Sequence, residues 1–239
     1  NTTSFTNSAF DSAYWASSDG YTSNAFDFDH TFPGPGTYDV DLIVYNTANC
    51  VDTVSTTVEV YENPTAGFGF NDVCLGATAS FQATSSLLGN DTITNYWYAN
   101  NDTLVGDSVT VYFNGPGNYQ VELIAITENG CSDTVSQNFT VFNNPTADFD
   151  IVESCIDEAV QFNNTTTGLS NSTTFEWIYN NQLVDTTFNY SNIFNTPGIH
   201  NMTLIATDSF SAAVQCDDTI SFNFFVHAYP TFTYLADTI

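Results

Sequence analysis

Pro116-Gly117-Asn118-Tyr119-Gln120-Val121-Glu122-Leu123-Ile124, followed by Cys131-Ser132-Asp133-Thr134-Val135-Ser136, decides how this chain folds. A Pro-Gly turn leads into strict alternation, with Tyr119, Val121, Leu123 and Ala125 on one face and Gln120 and Glu122 on the other. Period two is the signature of a half-buried β-strand. The turn signal Glu128-Asn129-Gly130 then returns the chain into a second strand.

The same text is written three times. Pro35-Gly36-Thr37-Tyr38-Asp39-Val40-Asp41-Leu42-Ile43 precedes Cys50-Val51-Asp52-Thr53-Val54-Ser55, and Pro197-Gly198-Ile199-His200-Asn201-Met202-Thr203-Leu204-Ile205 precedes Cys216-Asp217-Asp218-Thr219-Ile220-Ser221. The prolines at 35, 116 and 197 are spaced by 81 and 81, the cysteines at 50, 131 and 216 by 81 and 85. A fixed period of this size means an array. Asn63-Pro64-Thr65-Ala66, Asn144-Pro145-Thr146-Ala147 and Tyr229-Pro230-Thr231-Phe232 open copies, and Cys74 and Cys155 follow their prolines by ten. Phe5 aligns with Phe81 and Phe162, so the chain is expected to start and stop inside copies. The expected boundaries are 1–62, 63–143, 144–228 and 229–239, the first and last being partial copies.

There is no Lys and no Arg among 239 residues, against 27 Asp plus Glu, for a net charge of −27. Nucleic acid is excluded as a partner, because phosphate neutralisation needs cations. Anionic membrane surfaces are excluded on the same ground, as are arginine clamps and lysine Schiff bases. Hydrophobic residues nonetheless make up 42% and aromatics 15%, enough to build cores, so the chain is no disordered acidic tail. No run of 18 apolar residues exists to insert into a membrane. Val109–Phe113, Phe139–Phe142 and Ser221–Val226 read as further strands, and no amphipathic helix is found. Short strands at regular spacing predict sandwiches. The joints Tyr61-Glu62-Asn63-Pro64 and Phe142-Asn143-Asn144-Pro145 lack Gly/Ser tracts, so the array is expected to be extended and stiff.

The order Cys74 to Thr84 (C-x-G-x-x-x-x-F-x-x-T), Trp97, P-G-x-Y-x-V-x-L and N-G-C-x-D-T resembles the PKD domain, in particular the cysteine-bearing PKD repeats of giant Bacteroidota surface proteins. Trp15-Ala16-Ser17-Ser18-Asp19-Gly20 and His30-Thr31-Phe32 are similar to that family's W-x-F-G-D-G and H-T-Y, whereas Trp97-Tyr98-Ala99-Asn100-Asn101 and Trp177-Ile178-Tyr179-Asn180-Asn181 lack the Gly-Asp-Gly. The resemblance implies an all-β tandem array of immunoglobulin-like, seven-stranded β-sandwiches. It also implies spacer or adhesive modules on cell surfaces, including gliding-motility adhesins and cargo of the type IX secretion system. The expected function is a non-catalytic stalk segment of a long extracellular adhesin or filament. Its partners would be neighbouring repeats, surface polysaccharide, or the secretion and motility machinery. The alternative is a carbohydrate-binding accessory module of a secreted polysaccharide hydrolase, which needs an exposed aromatic row at equivalent positions of every copy.

Candidate chemistry is sparse. His200 stands where the other copies have tyrosine, which points to packing at a strand corner. His30 has Asp27 and Asp29 nearby on one strand, not a converging triad. No cofactor is expected. Calcium is the ion that Asp39 and Asp41, on one strand face, or Glu62 and Asp72, at the joints, would take, but the matching pairs Gln120/Glu122 and Asn201/Thr203 favour a solvated face. Asp-Ser/Thr tripeptides occur nine times, at Ser12, Thr53, Thr92, Thr103, Ser108, Thr134, Thr186, Thr219 and Thr238, resembling the O-glycosylation signal of Bacteroidota secreted proteins.

Five repeat-locked cysteines suggest an oxidising compartment. One pairing lies within copies, Cys74–Cys131 and Cys155–Cys216. Strand parity favours another. First and last strands run the same way, so Cys74 ends the first strand at the far pole while Cys131 opens the last at the near pole. A bridge tolerates only about 7 Å between Cα atoms. End-to-end stacking would instead bring Cys74 beside Cys216, with Cys131 joined to the copy before, Cys155 to the copy after, and Cys50 one copy further upstream.

Overall fold

The computed structural model describes residues 9–89 and 91–232. The expectations for Phe5 and Thr238, and for most of the last partial copy, fall outside them. No helix occurs among the described residues.

The second copy shows the plan. Its strands are preceded in the first copy by β1 (Phe10–Ser17), β2 (Thr22–Ser23), β3 (Gly36–Asn46) and β4 (Val51–Val60). The second copy then supplies β5 (Phe68–Phe70), β6 (Val73–Cys74), β7 (Thr78–Ala83), β8 (Ile93–Ala99), β9 (Asp102–Val105), β10 (Ser108–Tyr112), β11 (Gly117–Thr127) and β12 (Ser132–Phe142). These form two layers, β10-β7-β5 and β6-β12-β11-β8-β9. The first strand changes layers at Asn71-Asp72: β5 pairs antiparallel with β7, then β6 pairs parallel with the end of β12, Cys74 opposite Phe142. The third copy repeats this with β13 (Phe149–Val152), β14 (Ala159–Asn164), β15 (Thr173–Tyr179), β16 (Gln182–Asp185), β17 (Tyr190–Ile193), β18 (Gly198–Ser209) and β19 (Gln215–Val226). Its layers are β13-β14-β17 and β16-β15-β18-β19, and Cys155 bridges in parallel to His227. The described residues form an all-β tandem array whose second and third copies are two-layered, immunoglobulin-like sandwiches.

The alternating residues face inward as their period requires. Val121, Leu123 and Ala125 are buried, as are Met202, Leu204 and Ala206. Aromatics complete each core in edge-to-face pairs: Phe68–Trp97 at 5.2 Å and Phe81–Phe139 at 5.2 Å in the second copy, Phe149–Trp177 at 5.0 Å and Phe162–Phe224 at 5.1 Å in the third. Such pairs add about 0.5–1.5 kcal/mol each beyond the area they bury. The buried indoles are satisfied, Trp97 Nε1 donating to Gly106 O at 2.8 Å and Trp177 Nε1 to Thr187 O at 2.9 Å.

The first copy is described as one sheet, β2-β1-β3-β4. Its inner face carries Ala13, Leu42 and Val44, with Trp15 packed beside them. The irregular segment after β2 lays aromatic rings along that face, where Phe28 meets Trp15 at 5.0 Å and Phe32 stacks on Tyr38 at 4.5 Å.

Candidate functional site

Without Lys or Arg, carboxylates find hydrogen-bond donors elsewhere, chiefly in hydroxyls and backbone amides. Asp133 Oδ2 accepts from Ala66 N at 2.9 Å, and Asp218 Oδ2 from Ala147 N at 2.8 Å. The aspartate of C-x-D-T therefore anchors the start of the first strand in the second and third sandwiches. Asp72 Oδ1 accepts from Thr140 N at 2.7 Å, and Glu153 Oε1 from Phe225 N at 2.8 Å, pinning the layer crossing to the last strand. Buried Asp208 accepts from Ser170 Oγ at 2.9 Å and from Thr173 Oγ1.

The calcium candidates are engaged in the same way. Asp41 accepts from Ser55 Oγ at 2.5 Å and Asp39 from Thr57 Oγ1 at 3.2 Å, across β3 and β4. Glu122 accepts from Ser136 Oγ at 3.2 Å at the matching place. Glu62 lines a shallow groove at the first joint with Glu59 and Asp91. Among the described residues, no three His, Cys, Asp or Glu side chains converge to hold a metal.

The histidines hold structure. His200 Nε2 lies 2.9 Å from Thr196 O, where Tyr119 OH donates to Gly115 O and Tyr38 OH to Gly34 O, both at 2.8 Å. All three tie the strand back to the carbonyl four residues upstream. His200 Nδ1 also meets Tyr179 OH at 2.7 Å. His30 Nε2 pairs with Asp19 Oδ2, the turn aspartate, at 2.6 Å; Asp27, Asp29 and His30 lie in the irregular segment between β2 and β3, not on one strand as the sequence suggested. That hydrogen bond is the main cause holding the Asp19 carboxyl below its ordinary value. Where Asp19-Gly20 is missing, Asn100-Asn101 (φ 50° and 66°) and Asn180-Asn181 (φ 50° and 60°) close the hairpin. Two consecutive positive φ values are what a type I′ turn demands, and asparagine tolerates them. The Asn-Asn pairs are thus the hairpin signal that sequence reasoning passed over.

Eight of the nine candidate hydroxyls lie in the described residues, and all eight residues are exposed: Ser12, Thr53, Thr92, Thr103, Ser108, Thr134, Thr186 and Thr219. Thr134 and Thr219 follow Asp133 and Asp218, so those Asp-Thr pairs have a structural reason in the aspartate.

The most distinctive geometry is at the second joint. Cys74 and Cys216 form a disulfide with Cα atoms 5.5 Å apart across a sequence separation of 142. The parallel pairing of β6 puts Cys74 at the outgoing pole of the second sandwich, and Cys216 sits near the incoming tip of the β18–β19 hairpin. Cys50, Cys131 and Cys155 are free thiols. The four extra residues before Cys216 lengthen that hairpin and carry Phe210, which stacks on Phe142 at 3.9 Å and 9°. Asn144 Nδ2 donates to Leu75 O at 3.3 Å, tying the connecting segment to the second sandwich.

Residues 61–142, which span the second sandwich, match the family model of the PKD domain. The chain is similar to the PKD1 domain of the Vibrio cholerae metalloprotease PrtV, at 29% identity over 34% of this chain and 99% of that one, TM-score 0.31. It is similar over most of its length to three N-terminal domains of the bacteriophage RB49 highly immunogenic outer capsid protein (14% identity, 93% and 89% covered, TM-score 0.43). A solved chain from work on the host cell surface retention of a 1.5-MDa bacterial ice-binding adhesin is also similar (16% identity, 92% of this chain and 87% of the solved chain covered, TM-score 0.36). No curated protein matches the chain in sequence.

Proposed function

We infer that this chain is a non-catalytic stalk or spacer segment of a long, secreted cell-surface adhesin or filament, of the gliding-motility and type IX secretion kind. The observation that carries this reading is the pole-to-pole joint. The end of β12 runs through three residues to the bridge at Thr146, and a disulfide and a ring stack clamp the two poles. The accessible surface of 14783 Å² exceeds the roughly 10,600 Å² of a compact monomer of this mass, as expected of separate bodies. Cys131 and Cys155 hold the places of Cys216 and Cys74 in their own copies, which supports flanking sandwiches of the same kind as partners. A disulfide of this type also supports an oxidising, extracellular location.

A carbohydrate-binding module would need aromatic rings exposed at equivalent positions. Exposed Tyr98 corresponds to Ile178 and Ala16, and exposed Phe225 to Thr140 and Glu59. That lack of recurrence favours the stalk. Small-angle scattering on the full chain tests it. Three sandwiches in line, each about 35–40 Å long, give a radius of gyration near ~30 Å, against ~18 Å for a compact chain of this length. The lower value would remove the reading.

A further inference from the structure

We propose that the Cys74–Cys216 disulfide is a mechanical bypass, so that tension along the chain runs around the cores of the second and third sandwiches instead of through them. This rests on the stalk reading, in which tension is what the segment carries.

Covalent connectivity and strand direction set the path of the load. Load entering from the first sandwich reaches β5 and β6 and arrives at Cys74, at the outgoing pole. There it crosses to Cys216 and passes into β19, which runs the full length of the third sandwich and ends at Val226. Everything between Cys74 and Cys216, including β7 to β12 and β13 to β18, hangs off this path as an unloaded loop. The loaded segments are already strands. A strand rises about 3.3 Å per residue, close to the limit of about 3.6 Å for any trans chain. Hence β19 has almost nothing to give when pulled at both ends, and its twelve pairings with β18 are loaded along the strand, not peeled one by one. An ordinary tandem array of sandwiches lengthens under force by unfolding one body at a time. Here two bodies are removed from that response.

The stack of Phe142 on Phe210 has a place in the same device. It lies beside the bridge on the two poles that the bridge joins, and it keeps them in contact when the chain is slack. Copy-specific lengthening of the β18–β19 hairpin supplies that ring.

The test is single-molecule stretching of the full chain, held by its two ends, before and after reduction with dithiothreitol. The oxidised chain is expected to stop short of the reduced chain by about 50 nm, the extended length of the bypassed loop. At forces that unfold the reduced sandwiches one after another, the oxidised chain is expected to show no unfolding step from the second and third. Cys74→Ser and Cys216→Ser each restore the full length, while Cys131→Ser leaves the oxidised chain as short as before. Alkylation and mass measurement on the same oxidised sample should find three free thiols. Five free thiols, a deficit near ~20 nm as expected of a Cys74–Cys131 bridge, or an oxidised chain that reaches full length would each overturn the proposal. A compact particle by scattering combined with the 50 nm deficit would sink the stalk reading and leave the bypass standing. A rod without the deficit would do the reverse.

Discussion

Asp133 Oδ2 accepts the amide hydrogen of Ala66 at 2.9 Å, joining the opening of the last strand to the start of the first across 67 positions of sequence. Asp218 does the same for Ala147. A repeated aspartate in a chain rich in acid looks like one more surface charge, yet these two are fasteners between the sandwich's ends of sequence. Asp133→Ala leaves a partly buried N–H without a partner and is expected to cost about 1–3 kcal/mol. Asp133→Asn keeps an acceptor oxygen and should cost less. Urea denaturation of the two variants measures both, and equal, negligible losses would contradict the role.

His200 fills the place of Tyr38 and Tyr119 in tying a strand to the carbonyl four residues upstream. His200→Phe keeps the ring but loses the bond to Thr196 O, with an expected loss of about 1 kcal/mol. His200→Tyr is expected to restore that bond and to be better tolerated than His200→Phe. Thermal unfolding of the pair decides the order.

The Asp19 carboxyl is held below its ordinary value of 3.8, chiefly by its hydrogen bond with His30. Asp185 is lowered too, first by the backbone N–H of Thr187. A depressed folded-state value stabilises the fold above 3.8 and loses that contribution as pH falls through the folded value. Both turns are therefore expected to loosen only in acid below that point, and not between neutrality and mild acidity. Titration of the carboxyl carbons by NMR tests this. His30→Phe should raise the Asp19 midpoint toward 3.8 and leave Asp185 unmoved; an unchanged Asp19 would disprove the pairing.

Much of this architecture was written in the sequence because it depends on period. Tyr119, Val121 and Leu123 alternate, so the strand and its buried face follow directly, and the recurrence at 81 residues gives the array. What stayed hidden depends on contacts between distant residues. The Asp133–Ala66 bond joins two motifs, C-x-D-T and N-P-T-A, that sequence shows only side by side. The spacing of 85 instead of 81 marks an insertion before Cys216, but nothing in the letters says that Phe210 will meet Phe142. The Asn-Asn turns were legible in principle, since two positive φ positions between alternating runs favour asparagine. They read as a missing acidic turn because the first copy uses Asp19-Gly20 there. His30 likewise finds Asp19, eleven residues away, while the nearest acids in sequence, Asp27 and Asp29, lie along its own segment.

Glycosylation is a prediction about the surface. The eight described candidate residues are all exposed, so a modifying enzyme would meet no steric barrier from the fold. Intact-mass measurement on natively secreted protein is expected to exceed the bare 26.2 kDa polypeptide by whole glycan increments. A mass equal to the polypeptide ends the idea.

The second and third sandwiches are coupled covalently from pole to pole. Peptide mapping without reduction tests this most directly, using a protease that does not need Lys or Arg, since the chain has neither. A linked peptide pair containing Cys74 and Cys216 that separates on reduction is expected. A pair containing Cys74 and Cys131 would contradict it.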